Sequence, residues 1–209
     1  VMAFNAKVSG KRKFILIQLP ENLEEIVKKQ TGDNKKETQN IINYLDSVNR
    51  PRYLSEIGKE RVFQAWKRIL DKDIDKGFRV FKLDNSNMND VFYSVDDYSQ
   101  GLLSNLESNI KSDRNDLDLL FVCLLEWGLP LSLPYISEVI EGCTVHNYNN
   151  GDLVACFNEN IPDSVIKYIA KQQPLRAVFR DSSFASSPAK INVGEIFKSL
   201  APDTRVKVI

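Results

Sequence analysis

Histidine is nearly absent from the 209 residues: His146 stands alone, which excludes the usual metal sites built from two or three histidines. Cysteine is scarce too. Cys123, Cys143 and Cys156 are odd in number and lack CxxC spacing, so they are expected to be reduced and structural, as in a cytosolic protein. Charge of one sign is not in excess, with 28 basic and 28 acidic residues. Whole-chain charge therefore gives no support for nucleic-acid binding, and any such contact needs a local patch. No apolar run reaches the roughly 18 residues of a membrane span, and no signal-peptide pattern opens the chain, so a soluble, cytoplasmic protein is expected. The dinucleotide fingerprint GxGxxG, the Walker phosphate loop and the Gly-x-Ser-x-Gly elbow are all missing.

What is present suits a globular α/β protein. Hydrophobic residues make up 43% and charged residues 27%, the ordinary range. A chain this long buries about 70% of its unfolded surface and needs no disulfide or metal staple. Val1–Ala6 reads as the end of a helix without a preceding cap, which points to a piece of something longer. Phe14-Ile15-Leu16-Ile17 is a continuous apolar run between Lys11-Arg12-Lys13 and Pro20. It is predicted to be a strand covered on both faces, as in a parallel sheet. A short helix from Asn22 to Lys29 and a longer one from Glu37 to Val48 follow, separated by a break at Thr31–Asn34. Ser55 can cap the next helix, whose apolar face includes Ile57, Val62, Trp66 and Ile69. Its Lys59, Arg61, Lys67 and Arg68 fit a solvated face or, alternatively, a DNA-facing one. Phe78–Leu83 alternates with period two and is predicted to be a strand, ahead of a polar loop from Asp84 to Gln100.

The second half alternates short strands and helices. Helices are predicted at Leu102–Ile110 and, capped by Ser112, through Leu117 to Trp127, with Gly128 as the stop. Asp113, Asp116 and Asp118 crowd that helix start, where negative charge favours the helix dipole over a metal site. Thr144–Tyr148 and Leu153–Phe157 flank Asn149-Asn150-Gly151-Asp152, a hairpin signal. A helix from Pro162 to Lys171, a strand from Leu175 to Arg180, a helix from Val193 to Leu200 and a strand from Arg205 to Ile209 complete the pattern. Nucleophilic chemistry finds little footing. Cys143 and His146 lie three residues apart in an extended segment, on opposite faces. Arg180-Asp181-Ser182-Ser183 reads as a turn.

Three stretches carry a resemblance. Lys11-Arg12-Lys13-Phe14-Ile15-Leu16-Ile17-Gln18-Leu19-Pro20-Glu21 is one, and Ser55-Glu56-Ile57-Gly58-Lys59-Glu60-Arg61 is the second. The third is Leu124-Leu125-Glu126-Trp127-Gly128-Leu129-Pro130-Leu131, with Asp152–Phe157 and Val178–Ser182 after it. In this order they resemble the carboxy-terminal part of the modification subunit (Mod) of type III restriction-modification systems, an adenine-specific DNA methyltransferase.

The resemblance implies a circularly permuted enzyme. An Asp-Pro-Pro-Tyr motif comes first, then a target-recognition region, then Phe-x-Gly-x-Gly, then the segment seen here. Such enzymes move a methyl group from S-adenosylmethionine to the N6 amine of a flipped-out adenine. Neither motif occurs in these residues, so the chain is expected to be inactive alone and to bind the cofactor poorly. Gln18 falls where the cofactor ribose is commonly held and Glu21 lies three residues on; the resemblance leaves open which of them makes the contact. The implied fold is α/β: residues 1–95 as a remnant of the methyltransferase sheet, and residues 96–209 as a small α/β assembly domain. DNA, a second Mod subunit and the restriction (Res) subunit are the implied partners. The alternative is a stand-alone dimerisation module. The Leu117–Trp127 helix discriminates between them, being core if buried and an interface if exposed as a stripe.

Overall fold

The computed structural model describes residues 1–8, 10–69, 77–89 and 110–209. The chain is mixed α/β and divides into two compact units, Val1–Val80 and Phe81–Ile209. The division expected near residue 95, and most of the helix expected at Leu102–Ile110, lie outside the described residues. Among the described residues, no helix is long and apolar enough to cross a membrane.

The first unit is helical: α1 (Met2–Val8), α2 (Leu23–Lys29), α3 (Gly32–Ser47) and α4 (Leu54–Arg68). Asn22 caps α2 by accepting from the Glu24 amide at 2.8 Å. Leu23, Ile42 and Leu45 are buried against Ile26, Val27, Ile41, Leu54 and Ile57, so the 3.6-residue apolar periodicity becomes a small three-helix core. An isolated antiparallel bridge between Asn22 and Tyr53 joins the entrances of α2 and α4. Arg52 clamps the outside, reaching Glu24 and Asp46.

Several expectations for residues 1–83 are corrected. Phe14–Ile17 forms no strand: residues 10–21 run without regular structure, and Ile15 and Ile17 are 88% and 91% exposed. A strand exists only through a ladder with a neighbour, and no described residue supplies one here. Phe78–Leu83 likewise lies outside any ladder. The remnant of a methyltransferase sheet is therefore not formed by the described residues. Ser55 is not a cap either; α4 begins one residue earlier, after Tyr53, which makes no side-chain cap bond. α3 starts at Gly32 rather than Glu37, because Gly32 takes the positive φ (+63°) that turns the chain straight into the helix.

The second unit holds a five-stranded sheet in sequence order: β1 (Tyr135–Ile140), β2 (Cys143–Tyr148), β3 (Leu153–Cys156), β4 (Arg176–Phe179) and β5 (Arg205–Val208). β1, β2 and β3 pair antiparallel; β3, β4 and β5 pair parallel. The parallel pairs require crossovers, supplied by α6 (Asp163–Lys171) and α7 (Ser187–Leu200). Both pack into one buried cluster through Val165, Ile166, Ile169, Val193 and Phe197, against Val154, Cys156 and Phe179. The opposite face carries α5 (Asp116–Glu126), whose Leu119, Leu120, Cys123 and Leu124 pack on Tyr148, Leu153, Ala155 and Val178. β3 is thus buried on both sides, as its unbroken Leu-Val-Ala-Cys run requires.

The caps refine the sequence reading. Asn115, not Ser112, caps α5, and Asp118 closes a capping box by accepting from the Asn115 amide at 3.0 Å. Of the three acids there, Asp116 and Asp118 stand in the first turn of α5, whereas Asp113 precedes the helix and pairs with Arg114. Gly128 (φ +64°) ends α5, with the Leu129 amide bonding the Leu124 carbonyl at 2.8 Å. The hairpin turn holds Asn149, Asn150 and Gly151 at positive φ. α7 begins six residues ahead of the expected Val193, because Ser186 caps it and Pro188 sits in its first turn. β1 went unforeseen; Tyr135-Ile136-Ser137-Glu138-Val139-Ile140 has the β-branched content of a strand, but as the sheet edge it leaves Ile136 and Val139 exposed.

All three cysteines are free and buried. Burial pushes the Cys123 thiol up to about 11 and the Cys156 thiol up to about 12. The folded chain is expected to react with fewer than one equivalent of Ellman's reagent at pH 8 and with three in guanidinium. Because these folded values lie above the unfolded ones, stability is retained at neutral pH and falls as pH rises from about 9. Denaturant titrations at pH 8 and pH 10 check that slope.

Candidate functional site

Gln18 and Glu21 lie on the exposed extended segment after α1. The Gln18 amide nitrogen donates to the Leu19 carbonyl at 3.3 Å. Glu21 is engaged through its backbone, its carbonyl accepting from the Leu54 amide at 2.9 Å, while its carboxylate has no hydrogen-bond or ion-pair partner among the described residues. The two side chains are not brought together, and neither lines the cleft found between α3 and α4.

That cleft has a volume of about 510 Å³. Its α3 wall is Asn40, Ile41, Tyr44 and Leu45. Its α4 wall is Ile57, Glu60, Arg61, Gln64, Ala65 and Arg68. On α4 a single helical stripe changes character along its length. Leu54 and Ile57 pack against the unit's core, whereas Arg61, Gln64 and Arg68 continue the same 3–4 spacing as polar and cationic groups. The apolar floor thus meets two guanidinium groups, both on exposed residues.

Two carboxylates set the frame. Glu56 and Glu60 are only 7% and 8% exposed, and a buried carboxylate is costly unless it is paired and hydrogen-bonded. Arg50, in the α3–α4 connection, answers both, lying 3.4 Å from Glu56 and 3.1 Å from Glu60. Lys59 adds a 2.5 Å contact to Glu56. Gln64 and the Tyr44 hydroxyl donate to the same Glu60 oxygen at 2.6 and 3.0 Å. The Gln64 and Tyr44 bonds and the Arg50 charge hold the Glu60 carboxyl below the usual carboxylate range, and the bond to Glu60 raises the Tyr44 phenol. Glu60 is the one acid on the cleft wall among the described residues, and its charge is already engaged.

The basic residues singled out in the sequence do not form one surface. Lys59 is taken by Glu56, and Lys67 lies 4.4 Å from the Phe63 ring centre, where cation–π attraction holds it. Lys11, Arg12 and Lys13 belong to the extended segment and are not on the cleft wall. Arg61 and Arg68 are the pair that share the cleft. Chain neutrality also conceals a partition that sequence reading missed. Residues 1–80 carry 17 basic and 11 acidic residues, and residues 81–209 carry 11 and 17. Net charges of +6 and −6 could have been counted by halves.

Cys143 and His146 point to opposite faces of β2, as their spacing predicts, Cys143 towards α6 and α7 and His146 away from them. Sequence reading missed the true neighbours of His146. His146 Nδ1 lies 2.8 Å from Ser137 Oγ, its cross-strand partner, and Nε2 lies 3.4 Å from Asp116 Oδ2 at the start of α5. The residue types are those of a serine hydrolase, but the ring is turned: there, Nε2 takes the serine proton and Nδ1 faces the carboxylate. Both ring nitrogens of this 4%-exposed histidine are satisfied, which ties β1 and β2 to α5. Arg180–Ser183 forms the expected turn, with the Arg180 amide donating to Ser183 Oγ at 3.3 Å and Arg180 paired to Glu159.

Two outcomes follow from these contacts. Replacing His146 by Ala leaves a cavity and a lone Ser137–Asp116 pair, at an expected cost of about 2–3 kcal/mol in denaturant unfolding. The depressed Glu60 carboxyl stabilises the first unit above the ordinary glutamate value of 4.5, and that contribution is lost as pH falls below it. Amide exchange of α3 and α4 between pH 6 and pH 4 should show the loosening, and Glu60→Gln should flatten it.

The chain matches no protein-family model and no curated protein sequence.

Proposed function

We propose that the chain is the carboxy-terminal part of the modification subunit of a type III restriction-modification system, a site-specific DNA N6-adenine methyltransferase. The observation that carries this reading is the segment from Lys11 to Glu21. It holds the continuous apolar run Phe14-Ile15-Leu16-Ile17, strand-like in sequence, yet Ile15, Leu16, Ile17 and Leu19 are all exposed. Covering four such side chains is worth about 1.5–3 kcal/mol each. A segment that forgoes this much burial suits a strand whose sheet is supplied by another part of a longer polypeptide, the place that the resemblance gives it. The positive charge of residues 1–80 agrees with a DNA-handling protein.

On this reading S-adenosylmethionine, when bound, would supply the methyl group for adenine N6. The residues that orient the amine and approach the methionine end of the cofactor lie outside these 209 residues. Gln18 and Glu21 stand at the end of the strand-like segment as candidates for the cofactor ribose, once the sheet is complete. The partners are DNA, a second Mod subunit and the Res subunit. A second reading, a stand-alone interaction module, is favoured by β1, an edge strand whose Ile136 and Val139 are 71% and 72% exposed. One face of α5, Leu119, Leu120, Cys123 and Leu124, is core, whereas Leu117 and Leu125 on the same helix are 38% and 62% exposed.

Calorimetric titration with S-adenosylmethionine tests the first reading, on this chain and on a polypeptide extended upstream through the Phe-x-Gly-x-Gly strand. The expected result is binding by the extended form only, weakened roughly tenfold by the combined Gln18→Ala and Glu21→Ala changes. Tight binding by the present chain alone would remove residues 1–80 from the methyltransferase assignment.

A further inference from the structure

We propose that the first unit itself contacts the phosphodiester backbone of nucleic acid, with Arg61 and Arg68 in the α3–α4 cleft as the contacting cations. The inference deepens the methyltransferase reading, from which it takes only the expectation that DNA is the natural polymer. The observations themselves are independent of it.

Arg61 and Arg68 are exposed, lie two helical turns apart on one stripe, and make no side-chain hydrogen bond or ion pair among the described residues. The other cations nearby are spent: Arg50 on Glu56 and Glu60, Lys59 on Glu56, and Lys67 on Phe63. Glu60, the acid on the wall, is paired with Arg50 and accepts hydrogen bonds from Tyr44 and Gln64, so its charge is already engaged. The field in the cleft is therefore that of two uncompensated guanidinium groups inside a unit of net charge +6. Two planar donor forks suit phosphate oxygens, which they grip in bidentate fashion. The apolar floor of Ile41 and Ala65 and the ring of Tyr44, held in place by its bond to Glu60, offer a surface for sugar or base edges beside the phosphates. Asn40 and Gln64 add side-chain amides at the rim. No base-reading constellation accompanies them, so the contact positions the polymer without specifying its sequence.

The test is fluorescence anisotropy of a labelled 20-base-pair DNA duplex and of its single strand, titrated with the full 209-residue chain between about 50 and 200 mM salt. Binding should weaken linearly in log affinity against log salt. Arg61→Ala with Arg68→Ala should weaken it about tenfold and reduce that slope by about two. Arg61→Lys with Arg68→Lys should keep the slope, and Lys198→Ala, an exposed change in the acidic unit, should leave both quantities unchanged. Circular dichroism confirms that the exposed substitutions leave the fold intact. The duplex and single-strand arms identify which polymer supplies the phosphates. An unchanged affinity and slope in the double alanine variant would overturn the proposal. Binding confined to anionic phospholipid vesicles would also overturn it. So would salt-dependent self-association lost in that variant, since the cleft would then be taking the acidic unit of a second copy. DNA binding by this chain, with no cofactor binding by the extended form, would keep the inference and remove the methyltransferase reading. The reverse result would remove the inference alone.

Discussion

Apolar surface must be covered, and a continuous apolar run must be covered on both faces; the two units of this chain meet that constraint in opposite ways. β3 satisfies it completely. Leu153, Val154, Ala155 and Cys156 lie between α5 on one face and α6 and α7 on the other, and their neighbours β2 and β4 supply every ladder bond. The parallel half of the sheet, the crossover helices and the caps at Asn115 and Ser186 all follow from keeping that strand dry. In Phe14–Leu19, another apolar run, Ile15, Leu16, Ile17 and Leu19 stay exposed among the described residues. About 6–12 kcal/mol of burial is left unrealised there, comparable to the whole stability of a typical domain.

Electrostatics organises the first unit as burial organises the second. Placing Glu56 and Glu60 on the inner side of α4 obliges the chain to supply partners, and the α3–α4 connection does so with Arg50. Arg50 sits between two acids, so its charge is confined to the frame. Arg61, next to Glu60 in the sequence, and Arg68, two turns beyond it on α4, inherit no such partner. A zero net charge over the chain is thus the sum of a cationic unit and an anionic one, and the cleft lies in the cationic one.

Much of the second unit was legible in the sequence. The hairpin at Asn149–Asp152 announced itself through Asn-Asn-Gly, α6 through Pro162 and its apolar spacing, and the end of α5 through Gly128. Local chemistry decided those features, and local chemistry is what a sequence displays. β1 was missed because an edge strand with two exposed apolar residues has neither clean alternation nor full burial. The start of α7 was missed because Ser187–Asn192 has little apolar periodicity and is helical through its cap. In the first unit, the error at Phe14–Ile17 had a different origin. The run has strand chemistry, but a strand is a relation between segments, and its partner is not among the described residues. The cleft was partly legible: Arg61 and Arg68 stand out as basic in the sequence, whereas their difference from Lys59 and Lys67 depends on which neighbours fold beside them.

On the proposed reading, the Lys11–Glu21 segment is a strand awaiting its sheet. Hydrogen exchange read by mass spectrometry measures this directly on peptides spanning that segment, in the 209-residue chain and in a polypeptide extended upstream. The expected result is exchange near the unstructured rate in the chain alone and protection by several orders of magnitude in the extended form. Equal, rapid exchange in both would contradict it, as would strong protection in the chain alone.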